Sequence, residues 1–302
     1  MASRRLIHII VNPTAGARHR GLLDKVIARL EAAGARVSVE KTQRAGHGVD
    51  LARDAAQTSG ADVIVAAGGD GTINEVARGL LGRGVPLGII PLGTANVLAV
   101  ELGLGARAAR VADTLLTGPA HLIGTGLVDG QLFLLMVGAG FDGAVVHGIN
   151  PRLKRLSGKG AFVWAGLKTW AGGPGRRIAL NVDGRHEVAA WVVITNARYY
   201  AGPYVLAPQT DISQPGLYVF LFRNGGRWAF ARYLAALALG RAGRLADVDV
   251  MPARRIEIAG PAGLPVEVDG DARGYAPQTV ERGVQFLRLV VPADYQPALD
   301  LK

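Results

Sequence analysis

The sequence predicts two domains in series: an α/β domain built on a parallel sheet, then a β-sandwich domain. Two observations carry this. From Leu6 to about Val128, apolar β-branched runs alternate with helical stripes, the pattern of a parallel sheet covered on both faces. Beyond about residue 128 short strands recur between Gly, Pro and Asp turns such as Val182-Asp183-Gly184-Arg185, which marks antiparallel pairing. At 302 residues the chain can bury two cores.

Taken in order, Leu6 to Val11 reads as a strand that ends in the turn Asn12-Pro13-Thr14-Ala15-Gly16. A helix follows with Leu23, Val26, Ile27 and Leu30 on one face and Gly34 as its stop. Ala35 to Val39 is a second strand, and Gly48 to Thr58 a second helix. Val63 to Ala67 is a third strand, ending at Gly68-Gly69-Asp70-Gly71-Thr72. The next helix carries Ile73, Val76, Ala77 and Leu80 at buried-stripe spacing, and Thr72-x-x-Glu75 reads as its capping box. Pro86 to Leu92 is a fourth strand, Ala95 to Leu102 a helix, Arg107 to Leu116 another, and a strand lies near Leu122 to Val128. In the β-rich part the strands are Leu132–Val137, Ile178–Val182, Val188–Thr195, Leu217–Phe222, Arg255–Ile258 and Val266–Val268. Helical pieces fall at about Arg152 to Trp170 and Arg227 to Leu239. The run Val284 to Val291 fits either domain. The expected division is 1–128, rejoined by 284–302 if that run returns to the first sheet, and 129–283.

Composition narrows the chemistry. With no cysteine, disulfides, thiolate metal sites and cysteine nucleophiles are excluded. No apolar run reaches the roughly 18 residues of a membrane span. The start lacks the h-region of a signal peptide, so a cytoplasmic protein is expected. Net charge is +10, which favours anionic partners. Aromatic residues are only 6% and do not interleave with the arginines, so no nucleic-acid role is expected.

Three glycine-bearing turns share one position, after a strand and before a helix. They are Asn12 to Gly16, Gly68 to Thr72, and Pro91-Leu92-Gly93-Thr94-Ala95-Asn96. In a parallel sheet those strand ends lie along one edge, where ligands bind. A glycine turn at a helix start points backbone N–H groups at a phosphate. Asp70 repels a bare phosphate, so a Mg²⁺ between them, or a hydroxyl to deprotonate, suits it. Thr94 and Asn96 also read as helix caps. Gly138-Ala139-Gly140-Phe141-Asp142-Gly143 matches the dinucleotide pattern GxGxxG, but no acid follows between Gly143 and Val182 to hold a ribose, so it reads as a decoy. The chain has no Walker A, HExxH or GxSxG sequence.

Between Gly143 and Val182 stand Arg152, Lys154, Arg155, Lys159, Lys168, Arg176 and Arg177, interleaved with Trp164, Leu167 and Trp170. Such a segment suits an anionic membrane surface and equally a solvated helix. Near the end, Glu267-Val268-Asp269-Gly270-Asp271 reads either as a hairpin turn or as a carboxylate base.

These residues together resemble the diacylglycerol kinase catalytic-domain family of lipid kinases, which includes bacterial soluble lipid kinases and sphingosine kinases. The resemblance rests on Asn12-Pro13-x-x-Gly16, Thr42, Gly68 to Thr72 with Asn74-Glu75, Pro91-x-Gly93-Thr94-x-Asn96, Gly138-x-Gly140-x-Asp142 and Asp269-Gly270-Asp271. It implies a first domain like those of NAD kinase and 6-phosphofructokinase, a β-sandwich second domain, and ATP with Mg²⁺. The nucleotide would meet Asn12, Pro13, Thr14, Ala15, Gly16, Thr42, Gly68, Gly69, Asp70, Gly71, Thr72, Asn74, Glu75, Gly93, Thr94 and Asn96. Asp70 would carry the nucleotide's Mg²⁺. Asp271, or secondarily Asp269, would be the catalytic base, the family's Asp-Gly-Glu turn ending here one methylene shorter. The substrate would be a lipid, with peripheral contact to an anionic membrane; a homodimer stays open. This chain has Val97 where many bacterial diacylglycerol kinases carry an acid, and Pro215 at a position where the family holds a structural Mg²⁺. The alternatives are NAD kinase and a non-catalytic nucleotide- or lipid-binding protein.

Overall fold

The computed structural model describes residues 3–15, 20–149, 159–171, 176–214, 216–284 and 286–297. The chain divides into two compact units, the first Met1–Gly124 with Gln285–Leu299 and the second Thr125–Val284.

In the first unit, β1 (Leu6–Val11), β2 (Arg36–Lys41), β3 (Val63–Gly68) and β4 (Leu87–Pro91) run parallel in the order β2-β1-β3-β4. The sheet continues with a strand from the end of the chain, Leu287–Val290, parallel to β4, and then β5 (Ala120–Ile123), antiparallel to it. The inner strand β3 is buried at all six positions, which is why its sequence shows no polar alternation. The helices are α1 (Arg20–Ala32), α2 (His47–Thr58), α3 (Asp70–Leu80), α4 (Val97–Glu101) and α5 (Ala108–Thr117). α2 packs on α3, and α1 on α5. The α3 stripe Ile73, Val76, Ala77 and Leu80 is fully buried, each large apolar side chain contributing roughly 1.5–3 kcal/mol.

The second unit holds β6 (Gly126–Val128), β7 (Gln131–Phe133), β8 (Met136–Ala139), α6 (Phe141–His147), α7 (Lys159–Ala171), β9 (Ile178–Val182), β10 (Arg185–Ala189) and β11 (Trp191–Thr195). A small hairpin follows, β12 (Tyr199–Tyr200) and β13 (Tyr204–Val205), then β14 (Leu217–Phe222) and α8 (Arg227–Ala238). The chain completes it with β15 (Val248–Ala253), β16 (Arg255–Gly260), β17 (Pro265–Val268), β18 (Asp271–Tyr275) and β19 (Gln278–Arg282). Two antiparallel sheets form, β10-β9-β16-β19-β6-β7 and β15-β14-β11-β8-β17-β18. Alternate residues of β11 explain its continuous apolar run. Val192 and Ile194 enter the core that both sheets share, while Trp191 and Val193 join a second cluster with Phe230 and Tyr233 of α8.

Several expected elements change here. The strand expected at 122–128 is two strands, because the chain leaves one sheet at Gly124 and enters another at Gly126. The run 188–195 likewise splits at Ala190 into β10 and β11, which belong to different sheets. The stretch 132–137 spans the end of β7 and the start of β8. α6, β15, β18 and β19 had no prediction. Of the helix expected from Arg152, residues 152–158 lie outside the described residues and α7 is its second part.

Candidate functional site

Because β1 to β4 are parallel, their carboxyl ends share one edge of the first unit. That edge gathers Asn12, Pro13, Thr14 and Ala15 after β1, Thr42 after β2, Gly68 to Thr72 with Asn74 after β3, and Gly93, Thr94 and Asn96 after β4. Gly16 lies outside the described residues.

Side chains fasten these turns to one another. The Asn12 amide Nδ2 donates to the Thr72 hydroxyl at 3.2 Å, while its Oδ1 accepts from the Thr14 backbone N–H at 3.0 Å and hydroxyl at 2.8 Å. Asp70 links the second turn to the third: its Oδ2 accepts from Val97 N–H at 3.0 Å and its Oδ1 from Leu98 N–H at 3.2 Å. The Asp70 carboxylate therefore caps α4 and neutralises the positive end of that helix. Gly69 and Gly93 meet backbone to backbone, since a Cβ on Gly93 would stand 2.5 Å from the Gly69 Cα. Gly93→Ala is therefore expected to weaken nucleotide binding at least about tenfold and to cost about 1–3 kcal/mol of stability. Calorimetric ATP titration and thermal unfolding check both. Asn96 adopts the left-handed conformation at φ 48°, with Nδ2 donating to the Gly93 carbonyl at 3.0 Å. Its Oδ1 is buried without a partner among the described residues.

One expectation for this edge is corrected. The capping box does not form, because α3 begins at Asp70 and Thr72 already lies inside its first turn. Glu75 instead reaches α2: Oε1 accepts from Gly46 N–H at 2.7 Å and Oε2 from Gly48 N–H at 3.0 Å. It thus caps a neighbouring helix that follows the Thr42 turn. Asn74 stands half-buried on α3, and Thr42 is buried with its N–H on the Val11 carbonyl. The first α3 amide to reach its i−4 carbonyl is that of Ile73, on Gly69. Those of Asp70, Gly71 and Thr72 precede the ladder, as an anion-binding helix start requires.

In the second unit, β17 and β18 form a hairpin with Val268 opposite Asp271. Its central residues Asp269 and Gly270 have φ of 51° and 83°, the positive pair of a type I′ turn, so the hairpin reading holds. Asp269 is buried; its Oδ2 accepts from Leu134 N–H at 2.9 Å, and its Oδ1 from Leu135 N–H at 2.8 Å and Met136 N–H at 3.0 Å. Three backbone donors commit this carboxylate to holding the turn, which argues against Asp269 as a base. Asp271, one residue past the turn, is exposed.

Beside the turn lies a cluster whose two acids the sequence analysis names in separate motifs and does not pair. Asp142 on α6 is buried, and its Oδ1 accepts from the Tyr200 hydroxyl. Burial pushes the Asp142 carboxyl up to about 6, with Tyr200 and the Trp191 indole holding it back. Glu267 on β17 is also buried, and its Oε2 accepts from Gly270 N–H at 2.8 Å. Burial first, then the Asp142 charge, pushes Glu267 well above the usual carboxylate range. The available signal was an acid inside each otherwise apolar stretch, Phe141 to Val146 and Leu264 to Val268. The GxGxxG pattern joins β8 to α6 inside an antiparallel sheet, outside any βαβ unit, as the decoy reading expected.

Residues 6–128 match the diacylglycerol kinase catalytic domain, and residues 135–291 match the YegS C-terminal NAD kinase beta sandwich-like domain. The diacylglycerol kinase of Bacillus subtilis is 30% identical, covering 97% of this chain and 98% of its own. A protein of Chromohalobacter salexigens named "probable lipid kinase YegS-like" is 31% identical over 66% of each chain. The crystal structure of a diacylglycerol kinase from Bacillus anthracis superposes with a TM-score of 0.73 at 22% identity, covering 97% of this chain and 99% of that one. At that identity the likeness shows a shared fold.

Proposed function

Because the chain belongs to the diacylglycerol kinase family and is a lipid kinase, we propose that it transfers the γ-phosphate of ATP to a hydroxyl of diacylglycerol or of a sphingoid or other glycerolipid. The observation that carries the ATP reading is the fused edge of the first unit. Asn12–Thr72 and Asp70–Val97/Leu98 lock three glycine turns together at the start of α3. The amides there would hold the phosphates, and a rigid cradle suits a reaction that depends on positioning and charge stabilisation.

The residues present fit a Mg²⁺ that arrives with the nucleotide. Asp70 supplies a carboxylate, and the Asn96 Oδ1, buried without a hydrogen-bond partner among the described residues, offers a hard oxygen beside the Gly69–Gly93 contact, a donor set suited to a hydrated ion. When bound, the ion would neutralise the charge that builds on the β- and γ-phosphates. Asp271 accepts the proton of the lipid hydroxyl as its oxygen bonds to the γ-phosphorus and the bond to the β–γ bridging oxygen breaks, releasing ADP. Transfer of labelled γ-phosphate to a lipid panel in mixed micelles tests this. ATP binding without transfer to any lipid removes the kinase reading of this site.

Contact with an anionic membrane belongs to the same proposal. Among the described residues no helix is long and apolar enough to cross a membrane. α7 and α8 touch through the Trp170 indole N–H on the Arg227 carbonyl at 2.9 Å and the Arg227 guanidinium on the Ala171 carbonyl at 3.0 Å. They leave Trp164 63%, Leu167 54% and Trp228 85% exposed, beside exposed Lys168 and Arg227. Exposed indoles among cations suit a headgroup layer, at about 1 kcal/mol per Lys or Arg. The pair Trp164→Ala and Trp228→Ala is expected to reduce sedimentation with phosphatidylserine vesicles about tenfold or more. Unchanged sedimentation would place the membrane contact elsewhere.

A further inference from the structure

We infer that Asp142 and Glu267 share one proton above Gly138, and that this pair positions the Asp269-Gly270-Asp271 turn. The inference rests on the reading of Asp271 as the base.

The geometry begins with a missing side chain. A Cβ on Gly138 would stand 2.8 Å from Asp142 Oδ2 and 2.6 Å from Glu267 Oε1, so glycine leaves the space that both carboxyl oxygens occupy. Asp142 Oδ2 has no hydrogen-bond partner among the described residues. The other oxygen of each acid is taken: Asp142 Oδ1 by the Tyr200 hydroxyl, Glu267 Oε2 by Gly270 N–H. Asp142 Oδ2 and Glu267 Oε1 lie within 2.8 Å of that one point above Gly138, and buried acids brought so close repel when both are ionised, a repulsion that a single proton between them removes.

The surroundings do not supply a substitute. α6 also carries His147, whose Nε2 lies 3.0 Å from the Val266 carbonyl and whose ring meets Tyr275 of β18, so it is engaged with β17 and β18. β11 presents the Trp191 indole and β12 the Tyr200 hydroxyl. The turn presents Asp269 and Asp271, both of which raise Glu267 further, and the Gly270 N–H, which lowers it. Tyr200 is itself pushed up, by burial and then by Asp142. Negative neighbours and weak donors thus leave a proton as the group that balances the pair.

The consequence reaches the base through one bond. Glu267 Oε2 holds the N–H of Gly270, the residue directly before Asp271. Asp269 clamps the other side of the turn to Leu134, Leu135 and Met136. Glu267 is therefore a positioning residue for Asp271.

Both acids bind their proton more tightly in the folded chain, so their contribution to stability is full at low pH. It falls as pH rises from the ordinary carboxylate range through about 6 and beyond. Unfolding of the intact protein is followed against pH for Asp142→Asn, Glu267→Gln and the double substitution. Each single change leaves the other acid buried, but each also abolishes the repulsion that the pair shares, so the losses removed by the two single changes are expected to sum to more than the loss removed by the double substitution. Additive changes would overturn the shared proton. This arm holds whether or not any lipid is phosphorylated. In the kinetic arm, Glu267→Ala is expected to lower kcat at least about tenfold with the KM for ATP unchanged, a displacement of about 1 Å being worth about 100-fold. Glu267→Gln keeps the acceptor for Gly270 and should restore kcat while losing the pH dependence assigned to the pair. Wild-type kcat in Glu267→Ala, or a Gln variant as slow as Ala, overturns the positioning role. A wild-type protein inactive on every lipid sinks the kinase reading instead.

Discussion

Asp271→Asn is expected to lower the rate of lipid phosphorylation by about 10²–10⁴, the range that a positioned proton acceptor supplies. Asparagine is nearly the same shape and keeps an oxygen, so the hairpin should persist. Its first residue, opposite Val268, is paired through the backbone, which the substitution leaves alone. ATP affinity, read by calorimetry, and the unfolding temperature should match those of the unaltered protein. A rate that survives would move the base elsewhere. Asp269 is a poor second choice, given its burial and its three backbone donors. Asp271→Glu adds the methylene by which this turn falls short of the family it resembles, and should remain active.

Asp70 carries the second large effect, and two substitutions separate its two roles. Asp70→Ala removes both acceptors from the start of α4, costs about 1–2 kcal/mol as other capping losses do, and frees the third turn from the second. Turnover should fall by about 100-fold or more, since the phosphate cradle loses its alignment. Asp70→Asn retains one oxygen for Val97 or Leu98 but no negative charge. Its stability should lie nearer the unaltered protein, while its turnover should be as low as that of the alanine variant. Thermal unfolding and steady-state kinetics on the same preparations check this. If turnover instead follows stability, with asparagine intermediate in both, Asp70 moors the turn and holds no ion.

Sequence reading succeeded where one local rule decided the outcome. β3 and its glycine turn were legible because an apolar β-branched run before glycines has few other solutions. Reading failed where hydrophobicity says how deeply a residue is buried but not against which sheet. The run from Leu122 to Val128 looks continuous, yet Gly124 passes the chain from one sheet to another, and Ala190 does the same between β10 and β11. β18 and β19 escaped because Asp271-Ala272-Arg273-Gly274-Tyr275 and Gln278 to Arg282 are too polar to signal strands. The Thr72-x-x-Glu75 spacing satisfied a capping box, but the real partners of Glu75 are Gly46 and Gly48, nearly thirty residues away. Asp142 and Glu267 are 125 residues apart, and no local pattern pairs such groups.

The strand Leu287–Val290 sits between β4 and β5, so the sheet of the first unit is closed by a strand that follows the whole β-sandwich in the sequence. Until then β5 lacks its ladder partner, and an edge waits open while the whole β-sandwich is being synthesised. An unfinished edge of that kind invites pairing with other chains. Order of synthesis therefore favours the sandwich, encoded as one continuous stretch, as the earlier unit to mature. The first unit becomes whole only after the strand that follows the sandwich has been made.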